Sequence, residues 1–121
     1  MALTKFAPFA AAAALALTFL TGTAQASNDY EIDVSDSIAP GEYVTYKGVF
    51  PGGWDSFAEI SCDGRSDLDL RVYDENGYLV VASTSIYCDD AAYWQPNWTG
   101  DFYIEVYNAG ALPVRFDLIA N

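Results

Sequence analysis

The sequence predicts an all-β chain, folded as an antiparallel β-sandwich of seven or eight short strands. Three observations lead there. Apolar and polar residues alternate with period two in several short runs, the pattern of strands with one buried and one wet face. Clusters of Gly, Pro, Asn and Asp interrupt those runs at short spacings, as they do in sandwiches and barrels. After Ala26 no stretch carries the periodicity of an amphipathic helix.

The clearest run is residues 67–83, DLDLRVYDENGYLVVAS. Leu68, Leu70 and Val72 alternate with Asp67, Asp69, Arg71 and Tyr73. Asn76-Gly77 then signals a tight hairpin, which as a type I′ turn needs positive φ at both residues. The β-rich run 78–82 returns beside the first strand. Upstream, residues 30–34 form a short strand-like run, and Ala39-Pro40-Gly41 is a turn. Residues 42–50 alternate so that Val44, Tyr46 and Phe50 face inward when Lys47 faces water. Pro51-Gly52-Gly53 stops that strand. Residues 54–62 form the next, with Ala58 and Ile60 inward, and residues 63–66 turn the chain into the hairpin.

Downstream, residues 84–96 read as a long loop with at most one short strand. Residues 97–100 form a turn. Residues 101–107 form a strand with Phe102, Ile104 and Val106 inward, and residues 108–113 turn again. Residues 114–119 close the chain with Val114, Phe116 and Leu118 inward and Arg115 and Asp117 outward.

Residues 1–26 read as a secretory signal peptide. Lys5 supplies the positive end, residues 9–20 the apolar run, and Ala24-Gln25-Ala26 the small-x-small cleavage site before Ser27. The apolar run is short for a membrane span of roughly 20 residues, so no span is expected after cleavage. Residues 27–121 then make one domain of modest core. It is expected in the periplasm or outside the cell. Its seventeen acidic residues face only Lys47, Arg65, Arg71 and Arg115, a formal charge of −13. Such a surface repels nucleic acid and anionic membranes. Its wealth of Tyr, Phe, Trp, Val and Ile separates it from acidic disordered chains.

Cys62 and Cys88 are expected to pair in an oxidising compartment. Closing a loop of 26 residues stabilises by about 3–4 kcal/mol in the chain-entropy picture. The chain has no histidine, which removes Ser-His-Asp and Cys-His catalysis and the usual zinc sites. Paired carboxylates leave a small hydrolase among the alternatives, but no poised catalytic constellation is visible.

Residues 66–77, SDLDLRVYDENG, resemble the signature of bacterial pre-peptidase C-terminal domains, an Asp-x-Asp-Leu run followed by alternation, Asp and a Gly turn. Residues 99–106, TGDFYIEV, are similar to that family's Gly-x-aromatic strand, and residues 114–119 to its last strand. The resemblance implies a jelly-roll-like sandwich that is exported and not catalytic. It also implies an accessory role beside secreted enzymes, with calcium bound in some relatives.

Calcium has its own support in the residues. Asp67 and Asp69 lie two apart on one strand and so share a face, and hard cations take several oxygen ligands. A Cys62–Cys88 bond would draw Asp63 toward Asp89 and Asp90. The expected metal set is therefore Asp63, Asp67, Asp69, Asp89 and Asp90. Against it, Asp67 and Asp74 are also natural turn formers. Trp54, Trp94 and Trp98, with Tyr87 and Tyr93, are the aromatic candidates, although core and sheet-face packing absorbs most such rings in a small sandwich. Trp94 and Trp98 are the stacking pair if the chain instead binds carbohydrate. The sequence thus reads as an exported, non-catalytic binding or accessory module. Its partner is an exported protein or, in the alternative, a polysaccharide.

Overall fold

Alternation of apolar and polar side chains produces eight strands in two facing antiparallel sheets. The computed structural model describes residues 2–3, 5–6, 20–21, 30–64 and 66–121. The signal peptide expected over residues 1–26, with its cleavage point, lies outside the described residues apart from three two-residue strands. Of these, Ala2–Leu3 pairs with Leu20–Thr21, and Lys5–Phe6 runs along Tyr43–Phe50. We number the sandwich strands β1 (Ile32–Ile38), β2 (Tyr43–Phe50), β3 (Ser56–Cys62), β4 (Leu68–Asp74), β5 (Leu79–Ser83), β6 (Asp90–Trp94), β7 (Gly100–Asn108) and β8 (Val114–Ala120).

One sheet runs β2-β7-β4-β5 and the other β1-β8-β3-β6. The pairs β4·β5, β3·β6, β2·β7 and β1·β8 are nested around a single turn. The chain is one long hairpin folded over on itself, which is the jelly-roll arrangement. Its tip is the turn after Asp74. The Gly77 N–H donates to the Asp74 carbonyl at 3.0 Å, the Asp74 N–H donates to the Tyr78 carbonyl at 2.9 Å, and Gly77 sits at φ 89°. That is a three-residue loop with Gly at the left-handed position. The turn is set one residue earlier than a type I′ turn on Asn76-Gly77. The Asp74 carboxylate explains the shift, because it accepts from the Asn76 and Tyr78 N–H groups at 2.9 and 3.0 Å.

The inward sets read from alternation are the core. Val44, Tyr46, Phe50, Ala58, Ile60, Leu68, Leu70, Val72, Phe102, Ile104, Val106, Val114, Phe116 and Leu118 are all buried. β1 is longer than the sequence suggests because polar residues hide its period. Asp36 takes an inward position and accepts a 2.6 Å hydrogen bond from the Tyr46 hydroxyl. Burial, and then that bond, hold the Tyr46 phenol far above its ordinary pKa. Cys62 and Cys88 are joined with their Cα atoms 5.9 Å apart, and β6 forms within the stretch expected to be mostly loop.

The sandwich has two different ends. At one, the buried amide of Asn108 ties three connections together. Its Oδ1 accepts from the Ser66 hydroxyl at 2.8 Å and the Gly110 N–H at 2.9 Å, and its Nδ2 donates to the carbonyls of Leu112 at 2.8 Å and Ile38 at 3.1 Å. Its backbone adds bonds to Gly41 and Glu42. Truncation would leave several buried groups without partners, each costing about 1–3 kcal/mol. Asn108→Ala is therefore expected to lower stability by about 2–4 kcal/mol in urea unfolding. A loss under about 0.5 kcal/mol, the scale of a surface change, would contradict the hub.

Candidate functional site

The Asn108 end carries most of the acidic residues singled out in the sequence. Asp67 enters β4 beside the hub, where its carbonyl accepts from the Ala109 N–H at 2.8 Å. Asp69 follows on the outer face of β4, opposite Tyr107 of β7. The two carboxyl groups lie close enough for each to act on the other. Burial, and then the Asp67 charge, push the Asp69 carboxyl above its ordinary pKa. The Arg71 guanidinium, 4.0 Å away, opposes that shift and the Asp90 charge adds to it. Asp67 Oδ1 is buried without a hydrogen-bond partner.

The other carboxylates are used differently. Asp89 accepts from the Cys62 N–H at 3.0 Å and so braces the disulfide. Asp90 accepts from the Ser83 hydroxyl and from the N–H groups of Ala91 and Ser85. Asp63 lies with Arg115 and Asp117 along a shallow pocket on the outer face of the β1-β8-β3-β6 sheet. Beside it an open groove of about 430 Å³ is lined by Glu59, Asp89, Asp90 and Asp117 over Ala91 and Ile119. The five expected carboxylates therefore do not converge. Among the described residues, the group of three candidate donors within 4.8 Å is Cys62, Cys88 and Asp89, and its sulfurs are bonded to each other. Asp89 and Asp90 are drawn away by backbone N–H groups that need acceptors. What remains together is the pair Asp67–Asp69, with Asp90 near enough to act on it through charge.

The aromatic side chains divide as well. Trp94, a stacking ring in the carbohydrate alternative, is a core residue only 8% exposed, as the packing alternative had it. Its ring packs on Phe50 at 5.1 Å and Phe102 at 6.1 Å between centroids. It points inward because β6 is a regular strand on which Trp94 faces the same way as buried Ala92. Trp98 does stand out, 41% exposed, and so does Trp54 at 70%, another of the candidate rings; Tyr78, at 71%, was not among them. These three belong to the connections β2–β3, β4–β5 and β6–β7, which meet at the hairpin end. The signal that could have found them was available. Trp98 sits in a turn cluster, and Trp54 and Tyr78 each directly follow one, at the first position of the runs 54–62 and 78–82.

No protein-family model matches the chain, and no curated protein does. Among solved structures the chain is similar to the Aeromonas hydrophila protein PliG, a periplasmic lysozyme inhibitor of g-type lysozyme. The TM-score is 0.57 at 13% identity, covering 82% of this chain and 93% of that one. It also matches a de novo designed double-stranded β-helix, with TM-score 0.44, 14% identity and coverage of 74% and 99%. A family two carbohydrate esterase from Cellvibrio japonicus matches with TM-score 0.42 and 13% identity, over 71% of this chain and 26% of that one. At 13% identity the likeness to the inhibitor speaks for the fold alone.

A raised carboxyl pKa makes a stability prediction with a definite sign. Asp69 holds its proton more tightly folded than unfolded, so its contribution favours folding in acid and is lost as pH rises through the folded pKa. Asp69→Asn is expected to melt higher than wild type at neutral pH. That advantage should shrink as the pH falls below the ordinary carboxylate range, where both forms are neutral. Melting curves at pH 3 and pH 7 decide it; an equal difference at both, or a less stable variant at pH 7, would contradict the assignment.

Proposed function

We propose that this chain is an exported, non-catalytic binding protein whose partner is a cationic exported protein. The observation that carries the reading is its charge. The mature domain has a formal charge of −13, and one of its few basic side chains, Arg71, already lies against Glu105 at 3.8 Å and Asp69 at 4.0 Å. Such a surface speeds encounter with positively charged proteins and turns away anionic ones. Three further points support the reading. The disulfide suits an oxidising compartment. The described residues hold no histidine and offer shallow open pockets rather than a deep cleft. The fold is shared over nearly the whole chain with a periplasmic inhibitor of g-type lysozyme, and the resemblance to pre-peptidase C-terminal domains points to the same accessory role.

A g-type lysozyme is accordingly the first probe, with an oligoarginine peptide beside it as a simple cation. Immobilised mature protein is expected to bind the lysozyme saturably, with affinity that falls steeply as salt is added. Failure of both probes to bind at low ionic strength would overturn the reading.

A second reading rests on Asp67 Oδ1, the buried oxygen without a partner. A calcium ion held by Asp67 and Asp69 would satisfy it and relieve the repulsion between the two carboxylates, with Asp90 adding charge nearby. Binding to the folded state alone raises stability by about 2.7 kcal/mol at a hundredfold excess over Kd. Calcium should then raise the melting temperature of wild type but not of Asp67→Asn. Equal shifts in both proteins, or the same shift with sodium chloride of matched ionic strength, would dispose of the ion.

A further inference from the structure

The hairpin end gathers exposed rings in a way that core packing does not explain. Trp54 and Tyr78 are each about 70% exposed, and Trp98 41%. Tyr87 and Tyr93 are as exposed elsewhere on the sandwich, but here three rings lie on neighbouring turns. The turns that carry them are braced against one another. The Gly53 N–H donates to the Pro96 carbonyl at 2.8 Å, and the Gly52 N–H to the Thr99 hydroxyl at 2.9 Å. The Asp101 N–H donates to Glu75 Oε1 at 3.3 Å, which ties the β4–β5 tip to the start of β7. Two glycines make this approach feasible. A Cβ on Gly52 would fall 2.6 Å from the Trp98 Cα, and one on Gly100 would strike Glu75 and the Trp98 indole. The platform is therefore set before anything binds, which lowers the ordering cost of binding.

Charge at this end has one sign. Asp55 and Glu75 are exposed beside the rings, and Asp101 is partly so. The described segments 51–55, 75–78 and 95–101 contain no Lys or Arg. Asp55 and Glu75 each use one oxygen inside the brace, with Gln95 and with the Asp101 N–H, and each has a second oxygen. Ring faces flanked by carboxylates suit a cation that is also flat or apolar along its stem. An arginine or lysine side chain gains from the ring face and from the carboxylate together.

Resting on the cationic-partner reading above, we infer that the hairpin end is the docking surface. Its occupant is an arginine- or lysine-bearing loop of the partner protein, seated on Trp54, Tyr78 and Trp98. The acidic groove on the β1-β8-β3-β6 face contributes long-range attraction and no contact of consequence.

The test compares two sets of substitutions against the same probes, a g-type lysozyme and an oligoarginine peptide, by calorimetry at fixed low salt. Trp54→Ala with Tyr78→Ala removes two rings that stand free of the brace, so the melting temperature should hold. Affinity for both probes is expected to fall at least about tenfold, the scale of losing interface anchors. Trp98→Phe, which keeps a ring against Gly52 and Gly100, should lose less. Glu59→Gln with Asp117→Asn, in the groove, should change affinity less than about threefold, as distant surface charges do. If the groove variant loses binding while the Trp54 and Tyr78 variant binds like wild type, the docking surface is wrong although the cationic partner stands. If wild type binds neither probe, both ideas fall. If a neutral polysaccharide binds in place of the cations and the ring variant abolishes it, the occupant is a glycan and the inference is overturned.

Discussion

The carboxylate of Asp74 sets the point around which the sandwich is nested. It is buried, and it accepts from two successive turn N–H groups, Asn76 and Tyr78. Those bonds, with Gly77 at positive φ, close the tip of the β4–β5 hairpin. Every later pair in the ladder, β3·β6, β2·β7 and β1·β8, continues that same hairpin outward. A slip of one residue at the tip would turn each strand's apolar set toward water. Loss of the Asp74 bonds would leave a buried carboxylate without its turn partners and free the tip to adopt another register. The same turn also sets Tyr78 and Glu75 at the exposed end, so topology and the proposed contact surface share one local cause.

The two ends put their polar groups to opposite uses. At the Asn108 end the polar atoms turn inward. Asn108, Ser66, Asp89 and Asp90 accept from or donate to groups of their own chain, and the disulfide crosslinks the same region. Such a network stiffens a domain whose total stability is only about 5–15 kcal/mol. At the hairpin end the bracing comes from backbone N–H groups, the Thr99 hydroxyl, one oxygen each of Glu75 and Asp55, and two glycines, so the large rings are not needed for it. They remain available to a partner. The division explains why a dense acidic patch is the less telling feature here, since its carboxylates already have structural work.

Most of the fold was legible because alternation is a direct consequence of strand geometry. Leu68, Leu70, Val72, Phe102, Ile104 and Val106 could be assigned to the core from spacing alone. Three things were not legible. Asn108 reads as a turn residue, and only the tertiary structure shows that its amide meets Ser66, Ile38 and Leu112 from separate connections. β1 hides its period behind Asp36, whose inward position is tolerable only because the Tyr46 hydroxyl meets it. Trp94 and Trp98 look equivalent in sequence, four residues apart, but one ends a strand and the other lies in a turn. The acidic pair was legible and its neighbours were not. Strand period places Asp67 and Asp69 together, but nothing in the sequence reveals that Asp89 and Asp90 are taken up by backbone N–H groups.

The central claim is that a cationic protein docks on the rings at the hairpin end. Hydrogen–deuterium exchange of the mature protein, alone and with a saturating g-type lysozyme, reads this without any substitution. The account predicts slowed exchange in segments 52–55, 75–78 and 97–99, with segments 66–67, 84–90 and 109–112 at the Asn108 end unchanged. Protection confined to the Asn108 end or to the acidic groove at Glu59 and Asp117 would contradict it.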